Sequence, residues 1–203
     1  MKALLGRKIG PTQTFTPDGK RIPVTEIEAG PCWVTYVTDK SVQLGFGNIK
    51  NLSKAEIGHI KKAGLDKKLR FLRSFRISNL SDLSNLSLGS EIKVSDVFAP
   101  GDAITVMGIS KGKGFSGGVK RYHFKGGPAT HGQSDRERAP GSIGMTTTPG
   151  RVFRGKHMAG RMGGDRVTVK GLKVVAVNAE KNILTVKGLV PGAKNSLLVI
   201  QKA

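Results

Sequence analysis

Only one cysteine, Cys32, occurs in the 203 residues. No intramolecular disulfide can form, which excludes the disulfide-stapled secreted scaffolds, and the expected role of Cys32 is that of a small buried hydrophobe. Tryptophan is also single, tyrosine occurs twice, and carboxylates are scarce, with 14 Asp plus Glu against 34 Lys plus Arg. No run of ~18 apolar residues is present, so no transmembrane helix is expected. The opening "MKALLGRKIG" offers only Ala3, Leu4 and Leu5 before charge resumes at Arg7, too little for a signal-peptide core. A cytoplasmic protein without membrane contact is the expectation. The shortage of acid leaves a formal net charge of +20 and a pI near 10.4. So large an imbalance repels itself in a compact chain and makes physical sense where a polyanion cancels it. Nucleic acid is the first candidate and an anionic membrane surface the second.

A second absence is local. Residues 123–164, "HFKGGPATHGQSDRERAPGSIGMTTTPGRVFRGKHMAGRMGG", contain no leucine, and Ile143 and Val152 are the only large aliphatics. From Ser110 through Arg166 there are 12 Lys/Arg against 3 Asp/Glu, and 14 of the chain's 28 glycines. Such a stretch buries too little apolar surface to offset its ordering entropy, so alone it is expected to be mobile. Structureless loops of this length are uncommon unless they are functional. Arginine and lysine suit phosphate, glycine lets backbone approach a ligand closely, and Phe115, Tyr122, Phe124 and Phe153 can stack on bases. Together these features describe a finger that orders by threading into folded RNA. DNA is less favoured, because no helix suited to a major groove is visible.

Around this stretch the pattern is β. "MKALLGRKIG", "KRIPVTEIEA", "CWVTYVT" and "SVQLGFG" are short β-rich runs punctuated by Pro17-Asp18-Gly19, Gly30-Pro31 and Asp39-Lys40, which are turn formers. One helix is predicted in "KAEIGHIKKA". Ser53 and Glu56 have capping-box spacing, Lys61 and Lys62 fall in the last turn, and Gly64 sits where a left-handed residue ends a helix. "LRFLRSFRI" reads as a half-buried strand with outward arginines and an irregularity at Leu72 and Arg73. Residues 79–90, "NLSDLSNLSLGS", read as a turn-rich link, and "DAITVMGIS" as a strand. Beyond Gly164, three or four more strands follow, with a hairpin at 178–182 and a turn at Pro191-Gly192. The result is a mainly β fold, a closed β-barrel or a sandwich. The chain leaves it near Ser110 and re-enters near Arg166.

Sharper motifs lose to this reading. Gly112, Gly114 and Gly117 match G-x-G-x-x-G after a strand, but no apolar helix or βαβ unit follows, as a dinucleotide site requires. A phosphate loop fails by one residue of spacing. His123, His131 and His157 lack a closed metal-ligand pattern, so stacking or phosphate contact is expected of them. Asp135 and Glu137 flank Arg136, and local pairing with Arg136 and Arg138 is expected to shape the loop. No nucleophile–base constellation supports an enzyme.

Taken in order, "GRKIG", "IPVT", "VQLGFG", "GHIKKAG", "SKGKGFSGGVKRYHFKGGPATHG", "PGSIGMTTTPGRVFRGKHMAGRMGG" and "LTVKGLVPGAKNSLLVI" closely resemble the bacterial form of the large-subunit ribosomal protein L-three family, over essentially the whole chain. The resemblance implies a six-stranded closed β-barrel of the translation-protein type with one short helix. The barrel body would comprise 1–109 and 166–203 with an inserted subdomain at about 48–90, and a long irregular extension would span 110–165. It implies a structural constituent of the large subunit, not an enzyme. Such a protein would bind near the 3′ end of the large-subunit rRNA, nucleate assembly and send its extension toward the peptidyl transferase centre. Neighbours of the L-fourteen and L-nineteen families are implied, and no cofactor, metal or small-molecule substrate. The rRNA-binding residues carried by the match and the local chemistry are Lys111, Lys113, Lys120, Arg121, His123, Lys125, His131, Arg136, Arg138, Arg151, Arg154, Lys156, His157, Arg161 and Arg166. The loop tip would be Gly141, Ser142, Ile143, Gly144, Met145, Pro149 and Gly150. Some family members carry a methylated Gln at the place of Met145, a modification that a thioether cannot take.

Overall fold

A computed structural model describes residues 2–76 and 86–202. The chain divides into two compact units, one of Met1–Ser110 with Arg166–Ala203 and one of Lys111–Asp165.

The first unit is mainly β. Its strands are β1 (Ala3–Phe15), β2 (Arg21–Ala29), β3 (Cys32–Thr38), β4 (Ser41–Asn48), β5 (Leu69–Arg76), β6 (Glu91–Ile92), β7 (Ala103–Ile109), β10 (Arg166–Asn178), β11 (Ile183–Lys187) and β12 (Leu197–Lys202). Six of them pair antiparallel in the order β1-β12-β7-β10-β11-β2, and β2 pairs again with β1, so the ladder returns to its start. Alternation explains which side is inside. Leu198 and Ile200 of β12, Ile104 and Val106 of β7, and Leu184 and Val186 of β11 are fully buried, and each contributes about 1.5–3 kcal/mol. The residues between them face outward or are half-buried. Register shifts at Lys8/Gly10 in β1 and at Val169/Leu172 in β10 bend long strands that must each serve two partners. Gly171, at φ +74°, supplies the second bend.

Turn chemistry sets the hairpins. Between β1 and β2, the Thr16 amide donates to Lys20 C=O and the Gly19 amide to Thr16 C=O, with Gly19 at φ +74°. Between β10 and β11, the Asn178 side-chain oxygen accepts from the Lys181 amide at 3.1 Å, and Asn182 takes φ +51°. Lys8 of β1 is buried. Its ammonium donates to the carbonyls of Val190 and Gly192 at 2.8 and 3.0 Å, fastening the β11–β12 connection to β1.

A second sheet, ordered β5-β4-β3-β6, shares the same hydrophobic core through Val34, Val42, Leu44, Phe46, Phe75 and Ile92. On it lies α1 (Lys54–Lys62), with the reciprocal Ser53–Glu56 capping box in place and Gly64 at φ +73°. Ile60 and Ala63 pack with Leu65 and Leu69, and Trp33, Leu52 and Leu72 lean on that cluster. In β5, Leu69 and Phe75 point inward and Arg70, Arg73 and Arg76 outward. The turn-rich link expected at 79–90 falls outside the described residues as far as residue 85. Beyond it, the Gly89 amide donates to Val34 C=O at 2.9 Å.

Cys32 is fully buried, its Sγ 3.5 Å from Leu5 C=O, and desolvation pushes the thiol up to about 12. The thiolate, which is the reactive form, is therefore essentially absent at neutral pH. Ellman's reagent at pH 8 is expected to leave the native protein unlabelled and to titrate one thiol per chain after guanidinium unfolding. Rapid stoichiometric labelling of the native state would contradict that burial.

The second unit is irregular apart from three short pieces. β8 (Phe115–Ser116) pairs with β9 (Gly160–Arg161), and a five-residue helix, α2 (Gly118–Tyr122), follows β8. The expectation of a single helix is thereby corrected. Gly117 and Gly118 open this extra turn, and the Arg121 amide donates to Gly117 C=O at 2.9 Å. One turn without an apolar stripe leaves no periodicity to read.

Candidate nucleic-acid interface

Lys111–Asp165 has no hydrophobic core. Ser116 is its only buried residue, and Phe115, Met145 and Phe153 are 80%, 70% and 52% exposed. Polar geometry holds it together instead. At its base, the β8–β9 pairing is extended by Lys113 N–H to Met162 C=O and Met162 N–H to Gly114 C=O, both 2.9 Å. Gly163, at φ +74°, lies so close to the Lys111 carbonyl that a Cβ would overlap it. Within the G-x-G-x-x-G segment, these bonds commit the Lys113 amide and the Gly114 carbonyl to strand pairing.

Next comes an aromatic clasp. The rings of Tyr122 and His157 stack in parallel, centroids 4.0 Å apart, with Phe124 tilted beside them. The Arg121 guanidinium donates to Met158 C=O at 2.8 Å and lies 5.0 Å from the Tyr122 ring. The stack joins residues far apart in sequence, so no spacing signal announces it.

Further on, the Gly127 amide donates to Glu137 C=O at 2.7 Å and the Ala139 amide to Arg136 C=O at 3.3 Å. Gly126 is at φ +75°, and a Cβ there would run into the Glu137 carbonyl. Among the described residues neither Asp135 nor Glu137 forms an ion pair with Arg136 or Arg138; Asp135 accepts from Ser134 Oγ instead. The expected charge pairing is thus corrected. Exposed ion pairs contribute about 0–1 kcal/mol, and the backbone bonds shape this turn. The segment 141–150 is exposed throughout, with Gly141 and Gly150 at φ +80° and +67° and Ser142 Oγ donating to Gly144 C=O at 3.0 Å. Ile143, Met145 and Pro149 lie uncovered in it.

The sequence-derived cations fall into place accordingly. Lys111, Lys113, Lys120, His123, Lys125, His131, Arg136, Arg138, Arg151, Arg154, Lys156, His157 and Arg161 are all exposed in this unit, and Arg121 is half-buried in the clasp. His123 and His131 hold left-handed backbone, at φ 60° and 61°, the first ending α2. Arg166 belongs to the other unit, where it opens β10 and points its guanidinium at Met107 Sδ, 3.1 Å away. No group of three or more metal-ligating side chains gathers among the described residues. Neither the clasp nor the structural commitment of Arg121 is signalled by the sequence.

Fold and site define a class: a β-protein bearing a polycationic unit without a core, suited to contact with a polyanion. The ribosomal protein L3 family model matches residues 76–185. Proteins named large ribosomal subunit protein uL3 are similar over the full length. The one from Herpetosiphon aurantiacus is 53% identical, covering 100% of this chain and 97% of that protein. That from Dehalococcoides mccartyi is 50% identical over 100% and 98%, and that from Chloroherpeton thalassium 50% over 98% and 98%. The chain belongs to the ribosomal protein L3 family.

Proposed function

We propose that this ribosomal protein is a structural constituent of the large ribosomal subunit that binds rRNA chiefly through Lys111–Asp165. The six-strand ring serves as a closed barrel of the translation-protein type, the body that fixes the protein's position. In this reading 1–109 and 166–203 are that body, about 48–90 its insertion, and 110–165 an extension directed toward the peptidyl transferase centre. The protein binds near the 3′ end of the large-subunit rRNA, nucleates assembly there, and has L-fourteen and L-nineteen proteins as neighbours. The exposed cations contact phosphates and set register without reading sequence. The 141–150 segment forms the tip, where Gly141, Gly144 and Gly150 allow close turns. One observation carries the proposal: a whole unit has exposed cations around a single buried residue, Ser116. Its bare charge and lack of a core are balanced when RNA supplies both the anions and the packing surface.

Salt tests it. Affinity for an rRNA fragment is expected to fall about 10³–10⁵-fold between 50 and 200 mM salt if roughly 6–10 phosphates are engaged. Replacing Arg151, Arg154, Lys156 and Arg161 with Ala is expected to reduce the log–log salt slope by about 0.7–0.9 per contact removed. An unchanged slope would remove these residues from the interface. Sedimentation adds a second check, since the chain should travel with the large particle and not in the light fractions.

A further inference from the structure

Cations also crowd one part of the first unit. Residues 48–76 carry nine Lys/Arg against two carboxylates, Glu56 and Asp66. Here Trp33 of β3, the chain's only tryptophan, and Phe46 of β4 line a cleft of about 620 Å³. Asn48, Asp66, Lys67 and Lys68 are among its other lining residues. Glu28 also borders the cleft, but its carboxylate is held by Arg7 at 2.6 Å. Trp33 is half-buried, leaning on the Ile60–Leu69 cluster, and the Lys67 ammonium stands 4.0 Å from its ring centroid. Lys68 donates to Lys50 C=O at 3.0 Å.

We propose that this cleft binds one unstacked nucleotide of single-stranded RNA, with the base on Trp33 and the flanking phosphates on Lys67 and Lys68. An ammonium over an indole at a wet surface is a weak, exchangeable contact. A nucleobase stacks more strongly on the same face, and the displaced ammonium then meets the phosphate that arrives with the base. Asn48 and Asp66 line the same cleft and carry groups able to hydrogen-bond a base, and the volume lies in the range of small-ligand sites. Duplex RNA keeps its base faces covered and cannot make this contact. An acidic peptide satisfies the lysines but brings no planar group to the indole. The proposal is independent of the role given to Lys111–Asp165.

Because Trp33 is the only tryptophan, its fluorescence reports on this cleft alone. Titrating the full-length protein with a single-stranded RNA hexamer is expected to quench that emission saturably. A duplex of equal length should bind, as followed by the anisotropy of a dye on the RNA, without the quench. Lys67→Ala with Lys68→Ala, both surface changes, should weaken the quench-detected affinity at least about 5-fold. Alanine at Arg151, Arg154 and Lys156 should lower total binding and leave the quench amplitude intact. The proposal is overturned if the hexamer binds by anisotropy while Trp33 emission stays constant, or if a hexameric poly-glutamate quenches as strongly as the RNA. Either result would leave the reading of Lys111–Asp165 standing.

Discussion

A chain lacking residues 126–155, with Lys125 joined to Lys156 through a short glycine linker, is expected to fold and yet to fail in the particle. Among the described residues the buried hydrophobic side chains all lie in the other unit, from Ala3 to Phe98 and from Ile104 to Ile200, so the deletion removes essentially none of the burial that drives folding. The Tyr122–His157 stack, with ring centroids 4.0 Å apart, lies outside the deletion and remains to hold its two flanks together. Far-UV circular dichroism should keep its β signature and urea unfolding should remain cooperative. What disappears is four of the unit's exposed cations, Arg136, Arg138, Arg151 and Arg154, together with Asp135 and Glu137. Cells that depend on the shortened chain should accumulate incomplete large particles, and its rRNA affinity should drop by orders of magnitude at 150 mM salt. Normal particles and normal growth would show this segment to be dispensable and defeat the proposed function.

Replacing Lys8 with methionine is expected to cost about 2–4 kcal/mol of stability, because two buried acceptors lose a charged donor. Methionine matches the aliphatic stem, so packing changes little, but the carbonyls of Val190 and Gly192 are left without their ammonium. Val190 and Gly192 are themselves buried, which limits replacement by water. For a chain of this size the melting temperature should fall on the order of 5–15 °C. A shift under about 1 °C in thermal melts would mean that the ammonium does no more than offset its own desolvation.

Much of the body could be read from residues. The Ser53–Glu56 box fixed α1 because two orphan amides need acceptors at that spacing. The outward arginines of β5 and the buried alternation in β11 and β12 follow from a period of two. The cysteine fell inside, as its isolation suggested. The core-poor stretch was visible from composition, since a segment with no leucine cannot hide from water. What escaped was non-local. The Tyr122–His157 stack, the Arg121 bond to Met158 and the nearness of Trp33 to Lys67 each join residues that only tertiary structure brings together. Carboxylates beside arginines in sequence suggested pairing at 135–138. The turn instead met its needs through main-chain bonds, which adjacent charges in water do not outcompete. Within 110–165, α2 and the β8–β9 pair are too short to show a period, which is why the stretch looks like one irregular loop in sequence.

The closing strand of the ring has a consequence for synthesis. β12 lies between β1 and β7, and Ala3 meets Gln201 across that seam. The first strand made must therefore wait for the last, with a loop of nearly the whole polypeptide to close before the ladder is complete. By the time β12 is made the cationic segment has already been synthesised, while the ring is still open between β1 and β7. The segment's near-total lack of leucine, isoleucine and valine then acts as protection: it offers few aliphatic side chains to the unfilled core.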